Sequence, residues 1–191
     1  SVATYHTITK EAAAEWSIPA TVTSNGLTVA TGNSAVDTAT APAAAAGQVN
    51  ALTTGLDTLT GGAGADTFSA TASTVSGATV QTINAGDNLT GGDGADTLSL
   101  SNTSATSGFG AGVVTASVEN LSVNAVTATS VDAALMAGLT GVANNGSLSD
   151  VTVTGLAAIP ALTVTASSAN TTATMLAAAT VGTADEMTIN L

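Results

Sequence analysis

Gly61-Gly62-Ala63-Gly64-Ala65-Asp66-Thr67-Phe68-Ser69 and Gly91-Gly92-Asp93-Gly94-Ala95-Asp96-Thr97-Leu98-Ser99 are two copies of one nonapeptide, 30 residues apart. Their residue types suit the binding of a hard divalent cation. Glycines take backbone angles closed to other residues, so a turn built from them can aim several carbonyl oxygens inward. The aspartate in the sixth position adds a charge. Calcium takes about six to eight oxygens from carboxylates, carbonyls and water, which is the set such a turn offers. Both copies fit the pattern G-G-x-G-x-D-x-U-x, and the match extends upstream, where Asp57-Thr58-Leu59-Thr60 and Asp87-Asn88-Leu89-Thr90 precede them. Asp66 and Asp96 are the expected anchors for Ca2+, with Asp57, Asp87 and Asp93 as additional carboxylates and Gly61, Ala63, Gly64, Gly91 and Gly94 as the surrounding turn positions. Bare glycine turns are the alternative, since aspartate also suits turns for its own backbone hydrogen bonds. The fit of both copies at every fixed position favours the cation.

Such turns need short strands between them, stacked in parallel. Leu59, Phe68, Leu89, Leu98 and Leu100 share one face while Thr and Ser flank them, a period-two pattern bounded by glycine. The fold class expected is all-β, a parallel β-roll or β-helix-like solenoid with short helical turns. Asp57 to Asp66 and Asp87 to Asp96 are nine residues each, one half-coil, which sets the members of each pair at opposite edges. Same-edge neighbours in a regular roll lie about 18 residues apart. Here Asp66 to Asp87 is 21 and Asp57 to Asp87 is 30, so one to three ions are expected rather than a long ladder. Further bursts follow at Leu121/Val123, Val151/Val153, Leu162/Val164 and Met187/Ile189/Leu191, unevenly spaced. Val131 to Met136 and Thr174 to Ala179 read as single helical turns joining rungs. Three segments result: 1–52, an N-terminal segment that reads as a small assembly or docking region; 53–112, the cation-binding repeats; and 113–191, a Thr/Ala-rich solenoid. The first contains a helix-compatible run from Lys10 to Trp16, an Asn25-Gly26 turn, and a stretch from Ala41 to Asn50 that reads either as a helix start at Pro42 or as a linker.

Composition narrows the function. At 45 % hydrophobic but 2 % aromatic, the 191 residues can bury only thin layers of small side chains, which stacked rungs satisfy. Thirteen carboxylates face one cationic side chain, Lys10, for a net charge of -12. Phosphate neutralisation of nucleic acid needs a basic patch, and so does polybasic attraction to anionic lipid; both are excluded. Without cysteine there is no disulfide or thiolate metal site. No apolar run reaches the roughly 18 residues of a membrane span, and no leader pattern is visible at Ser1. Calcium sites of millimolar affinity fill outside cells, which points to an exported protein.

Other candidate chemistry is sparse. His6 is the single histidine, and no nucleophile-elbow pattern surrounds any serine. Glu11 and Glu15 sit at i, i+4, as a paired-carboxylate hydrolase could use, yet a solvated helix face explains them better. Asp185-Glu186 reads as a charged turn, and Trp16 as packing rather than a ligand platform. The chain is expected not to be an enzyme.

Gly61 to Ser69 and Gly91 to Ser99 resemble the RTX calcium repeats of type I secreted bacterial proteins. The run Val80 to Gly92, followed by Val118-Glu119-Asn120-Leu121-Ser122-Val123, is similar to surface-layer proteins of Gram-negative bacteria and to related cell-surface adhesins. The resemblance implies calcium-dependent folding after type I export. It also implies calcium-dependent homo-oligomerisation into a layer or filament at the cell surface, with envelope polysaccharide as a further partner. The alternative it implies is an adhesin or secretion-module fragment of a larger secreted protein.

Overall fold

The computed structural model describes residues 21–24, 27–30, 45–104, 106–181 and 187–191. The chain divides into two compact units, Ser1–Ala43 and Ala44–Leu191. In the first, β1 (Thr21–Ser24) and β2 (Leu27–Ala30) pair antiparallel with Ser24 opposite Leu27. The expected run from Lys10 to Trp16 lies outside the described residues.

The second unit is an all-β parallel solenoid. Its first coil holds β3 (Val49–Ala51) and β4 (Thr58–Ala63), and the second β5 (Thr67–Val75), β6 (Ala78–Gln81) and β7 (Asn88–Asp93). The third holds β8 (Thr97–Asn102), β9 (Thr106–Phe109) and β10 (Val114–Ala116). Then come β11 (Asn120–Ala125) with β12 (Thr129–Asp132), β13 (Gly141–Asn145) with β14 (Val151–Leu156), and β15 (Ala161–Thr165) with β16 (Thr171–Met175). A 3-10 turn, Ala177–Thr180, and a two-residue strand, β17 (Ile189–Asn190), end the described chain.

These strands form three walls. The long sheet runs β3-β5-β8-β11-β13-β15-β17, the second β9-β12-β14-β16, and the third β4-β7-β10, which an isolated bridge from Thr115 to Met136 extends. All their neighbours are parallel except β6, which folds back antiparallel on β5. A two-sided coil thus becomes three-sided where β9 begins, a change the glycine pattern does not announce. The solenoid also starts at β3, inside the segment 1–52, and the long sheet runs unbroken past residue 113.

Alternation sets the core. In β8 and β11 every second side chain is buried, and the strands stack in register, so Phe68, Leu98, Leu121, Val142 and Leu162 form one column. Ala70, Leu100 and Val123 form the next. Each large aliphatic so buried contributes about 1.5–3 kcal/mol. Phe68 and Phe109, the only phenylalanines, are both fully enclosed. Outward positions are small hydroxyls and amides, as at Ser69, Ser99 and Ser122.

Two expectations for the connections are corrected. Val131 to Met136 is not a helical turn: β12 runs to Asp132, and the helix-favouring Ala, Leu and Met that follow form a turn instead. Stacking on β14 and β9 outweighs local propensity there. Likewise the residues from Thr174 begin in β16, and only Ala177–Thr180 is helical, as one 3-10 turn. The last burst forms a strand only at β17, where Ile189 is 53 % exposed.

Candidate cation sites

Gln48, Asp66, Asp96 and Glu119 occupy equivalent places in successive coils, each one residue before a strand of the long sheet. They are joined by a ladder. The Gln48 N–H donates to Asp66 Oδ1 at 2.6 Å, the Asp66 N–H to Asp96 Oδ1 at 2.7 Å, and the Asp96 N–H to Glu119 Oε2 at 2.9 Å. Each acid therefore reaches back one coil to hold a main-chain donor, a charge-assisted bond of the stronger class.

The opposite edge carries a second column, made of Asp57 and Asp87. Asp57 accepts from the Thr53 N–H at 2.7 Å and the Thr53 hydroxyl at 2.9 Å. Asp87 accepts from the Asp57 N–H at 2.9 Å and the Asn84 N–H at 2.7 Å. Both oxygens of both carboxylates are thus engaged by the protein itself.

The first column differs at its outer oxygens. Asp66 and Asp96 are buried, yet Asp66 Oδ2 and Asp96 Oδ2 have no hydrogen-bond partner. Each faces a cradle that only glycine permits. A Cβ at Gly61 would run into both Asp66 Oδ2 and the Gly91 carbonyl, and a Cβ at Gly91 into both Asp96 Oδ2 and the Ser117 carbonyl. Each orphaned carboxylate oxygen therefore shares its space with a carbonyl oxygen from the next coil. An unpaired buried carboxylate oxygen is strongly unfavourable unless a positive group meets it. No such group exists among the described residues, because the chain's single Lys, its only Lys or Arg, is Lys10.

The remaining turn positions shape the loops. Gly62, Gly64, Gly92 and Gly94 have φ of 130, 110, 109 and 140°, and the loops stack closely enough that the Gly64 N–H donates to the Asp93 carbonyl at 2.7 Å. Ala63 lies opposite Asp93 in the β4–β7 register, and the Asp93 side chain is exposed. The expected ten residues thus separate. Asp66, Asp96, Gly61 and Gly91 build the two cradles; Gly64 and Gly94 form the loops, beside Ala63 and Asp93; Asp57 and Asp87 hold the other edge.

The donor set fits calcium rather than a softer ion. Among the described residues no three His, Cys, Asp or Glu side chains converge, so a bound cation would draw most of its ligands from carbonyls and water. Asp66 and Asp96 would hold it, and what it would supply is the missing positive charge.

Gln48, Ser117 and Glu119 are the participants that reading the repeats overlooks. A signal was present: Asp66-Thr67-Phe68, Asp96-Thr97-Leu98 and Glu119-Asn120-Leu121 are one acid–polar–apolar triplet in three coils. The 30-residue interval between Asp66 and Asp96, against 18 between Gln48 and Asp66, is explained by the β5–β6 hairpin. The chain leaves the coil after Ala72, the last residue of β5 in register with β8, and returns at Thr82, whose N–H meets the Thr71 carbonyl at 2.8 Å.

His6, Glu11, Glu15, Trp16 and the Asp185-Glu186 pair lie outside the described residues. Two shallow grooves of about 150 and 270 Å3, beside Met136 and beside Asn120, carry no ionisable side chain. No family model and no characterised protein matches the chain.

Proposed function

We propose that this chain is a structural, calcium-stabilised exported protein that self-assembles into a layer or filament at the cell surface. The observation that carries the proposal is the pair of buried, unpartnered oxygens, Asp66 Oδ2 and Asp96 Oδ2, in a chain of net charge -12. A solenoid that encloses uncompensated carboxylates is unstable until cations neutralise them, and the calcium level outside cells supplies those cations. Folding is then tied to export. Self-association is supported by the strands at either end of the long sheet, β3 and β17, each of which has only one neighbouring strand among the described residues. Its walls of small hydroxyl side chains also offer a flat surface for lateral packing.

Far-UV circular dichroism and electron microscopy, each with calcium and with excess EGTA, test this reading. Loss of strand signal and of ordered assemblies in EGTA, both restored by calcium, is expected. If EGTA changed neither, calcium would have no structural part here. Calcium-dependent folding without any assembly would instead favour an adhesin or secretion module of a larger protein.

A further inference from the structure

The two cradles are not alike. Around Asp66 both coils belong to the glycine repeat, since Gly61 and Gly91 bound the space. Around Asp96 the upper coil belongs to the Thr/Ala-rich solenoid. From Gly91 to Asp96 the loop takes six residues, whereas its counterpart from Ser117 to Glu119 takes three. That shortened turn has no glycine. Ser117 adopts φ 50° and aims its carbonyl into the space beside Asp96 Oδ2, while Val118 is fully buried. Glu119, one methylene longer than aspartate, reaches back far enough for Oε2 to accept the Asp96 N–H at 2.9 Å.

We infer that Glu119 and the Ser117 carbonyl complete a second, hybrid cation site at Asp96, through which the metal clamps the repeat to the solenoid that follows. The inference rests on the calcium reading above and adds to it a site residue outside either nonapeptide, together with a division of labour. The site at Asp66 orders the repeat, and the site at Asp96 locks the junction to β11. Three features point the same way: the orphaned oxygen of a fully buried Asp96, the Ser117 carbonyl that shares its space, and a second negative charge held one hydrogen bond away. The ladder also ends here. The next residue in the column is Thr140, whose N–H donates to the Glu119 carbonyl and which brings no further acid. At the other end Gln48 Nε2 donates to the Gly61 carbonyl at 2.8 Å, closing the series below the first cradle.

Calorimetric calcium titration of the full chain tests the assignment, with hydrogen exchange measured on the same samples. Glu119→Gln keeps an oxygen for the Asp96 N–H and removes only the charge. Affinity at one of the two sites should fall about tenfold, because ligand charge tunes calcium affinity, and the other should be unchanged. Calcium should still slow exchange near Asp66 at the wild-type concentration, whereas about ten times more should be needed to slow it near Asn120. Glu119→Asp, which keeps the charge but falls short by a methylene, should weaken the same single site. Asp150→Asn, which removes an exposed charge elsewhere, should titrate like wild type. Unchanged affinity at both sites in E119Q and E119D, or an equal fall at both, would overturn the hybrid site while leaving calcium binding by the chain intact. No uptake of calcium by the wild-type chain would sink the functional reading itself.

Discussion

Replacing Asp87 and Asp96 separately by asparagine should shift stability in opposite directions when calcium is withheld. Both carboxylates are fully buried, at 0 % exposure, and both accept a main-chain N–H from the preceding coil. They differ in the other oxygen. In Asp87 it accepts the Asn84 N–H at 2.7 Å, so the amide of D87N would set donor against donor. Loss of that charge-assisted bond amounts to about 1.5–3 kcal/mol. For a unit of this size each kcal/mol moves the melting temperature by about 2–4 °C, so a fall of roughly 3–12 °C is expected in EGTA. In D96N the new amide nitrogen would face the Ser117 carbonyl, replacing an unpartnered charge by a donor beside an acceptor. D96N in EGTA should therefore melt at or above the wild-type temperature.

Calcium should lift wild type above D96N. At a free concentration one hundred times the dissociation constant, one site adds about 2.7 kcal/mol, equivalent to roughly 5–11 °C. Wild type and D87N should both gain the contribution of two sites, and D96N that of one at most, since the Asp96 charge also lies one hydrogen bond from the Asp66 cradle. Melting curves by circular dichroism for the three proteins, in EGTA and in calcium, decide the matter. If D96N lost as much stability as D87N in EGTA, or kept the full calcium shift, the division into a self-satisfied column and a cation-dependent one would be wrong.

Glycine replacements should separate the loops from the hairpin. Gly94→Ala drives a Cβ into the Gly64 carbonyl at φ 140° and should lower stability by more than about 2 kcal/mol with a weakened calcium response, whereas Gly77→Ala, at φ 82° with open space around it, should lower it by roughly 1 kcal/mol and leave the response intact. Both are read from calcium-dependent melts. Leu100→Ala, in the second core column, should lose about 2–5 kcal/mol in urea unfolding with or without calcium; a loss under 1 kcal/mol would contradict the enclosed packing described for it.

The glycines, the aspartates and the alternation of Phe68, Leu98 and Leu100 made the parallel coil and its turns legible, because each reports a local constraint: an unusual φ, a turn acceptor, a buried face. Interval arithmetic also separated the two aspartate edges. It could not tell which edge was self-sufficient, since that depends on Thr53 and Asn84, whose roles come from loop geometry rather than from any repeat. The hairpin was hidden for a related reason. Its Ser/Thr/Val pattern between Ala72 and Gln81 is that of an ordinary rung, and the one local sign of the fold-back, Ser76-Gly77, equally suits a corner between rungs. Glu119, although part of the run that resembles surface-layer proteins, does not read as a site residue, because a three-residue turn without glycine does not resemble the loop it replaces. At Val131 to Met136 propensity pointed to a helix and stacking prevailed.

The hairpin also bears on how the molecule could be re-engineered. Twelve added residues, the difference between intervals of 30 and 18, leave Thr67 and Thr97 in direct register. That corner is a natural splice point. A foreign peptide or a small domain grafted at Ser76-Gly77 would be displayed away from both cradles, making the coil a scaffold for cargo whose rigidity an operator could dial with the ion in the buffer.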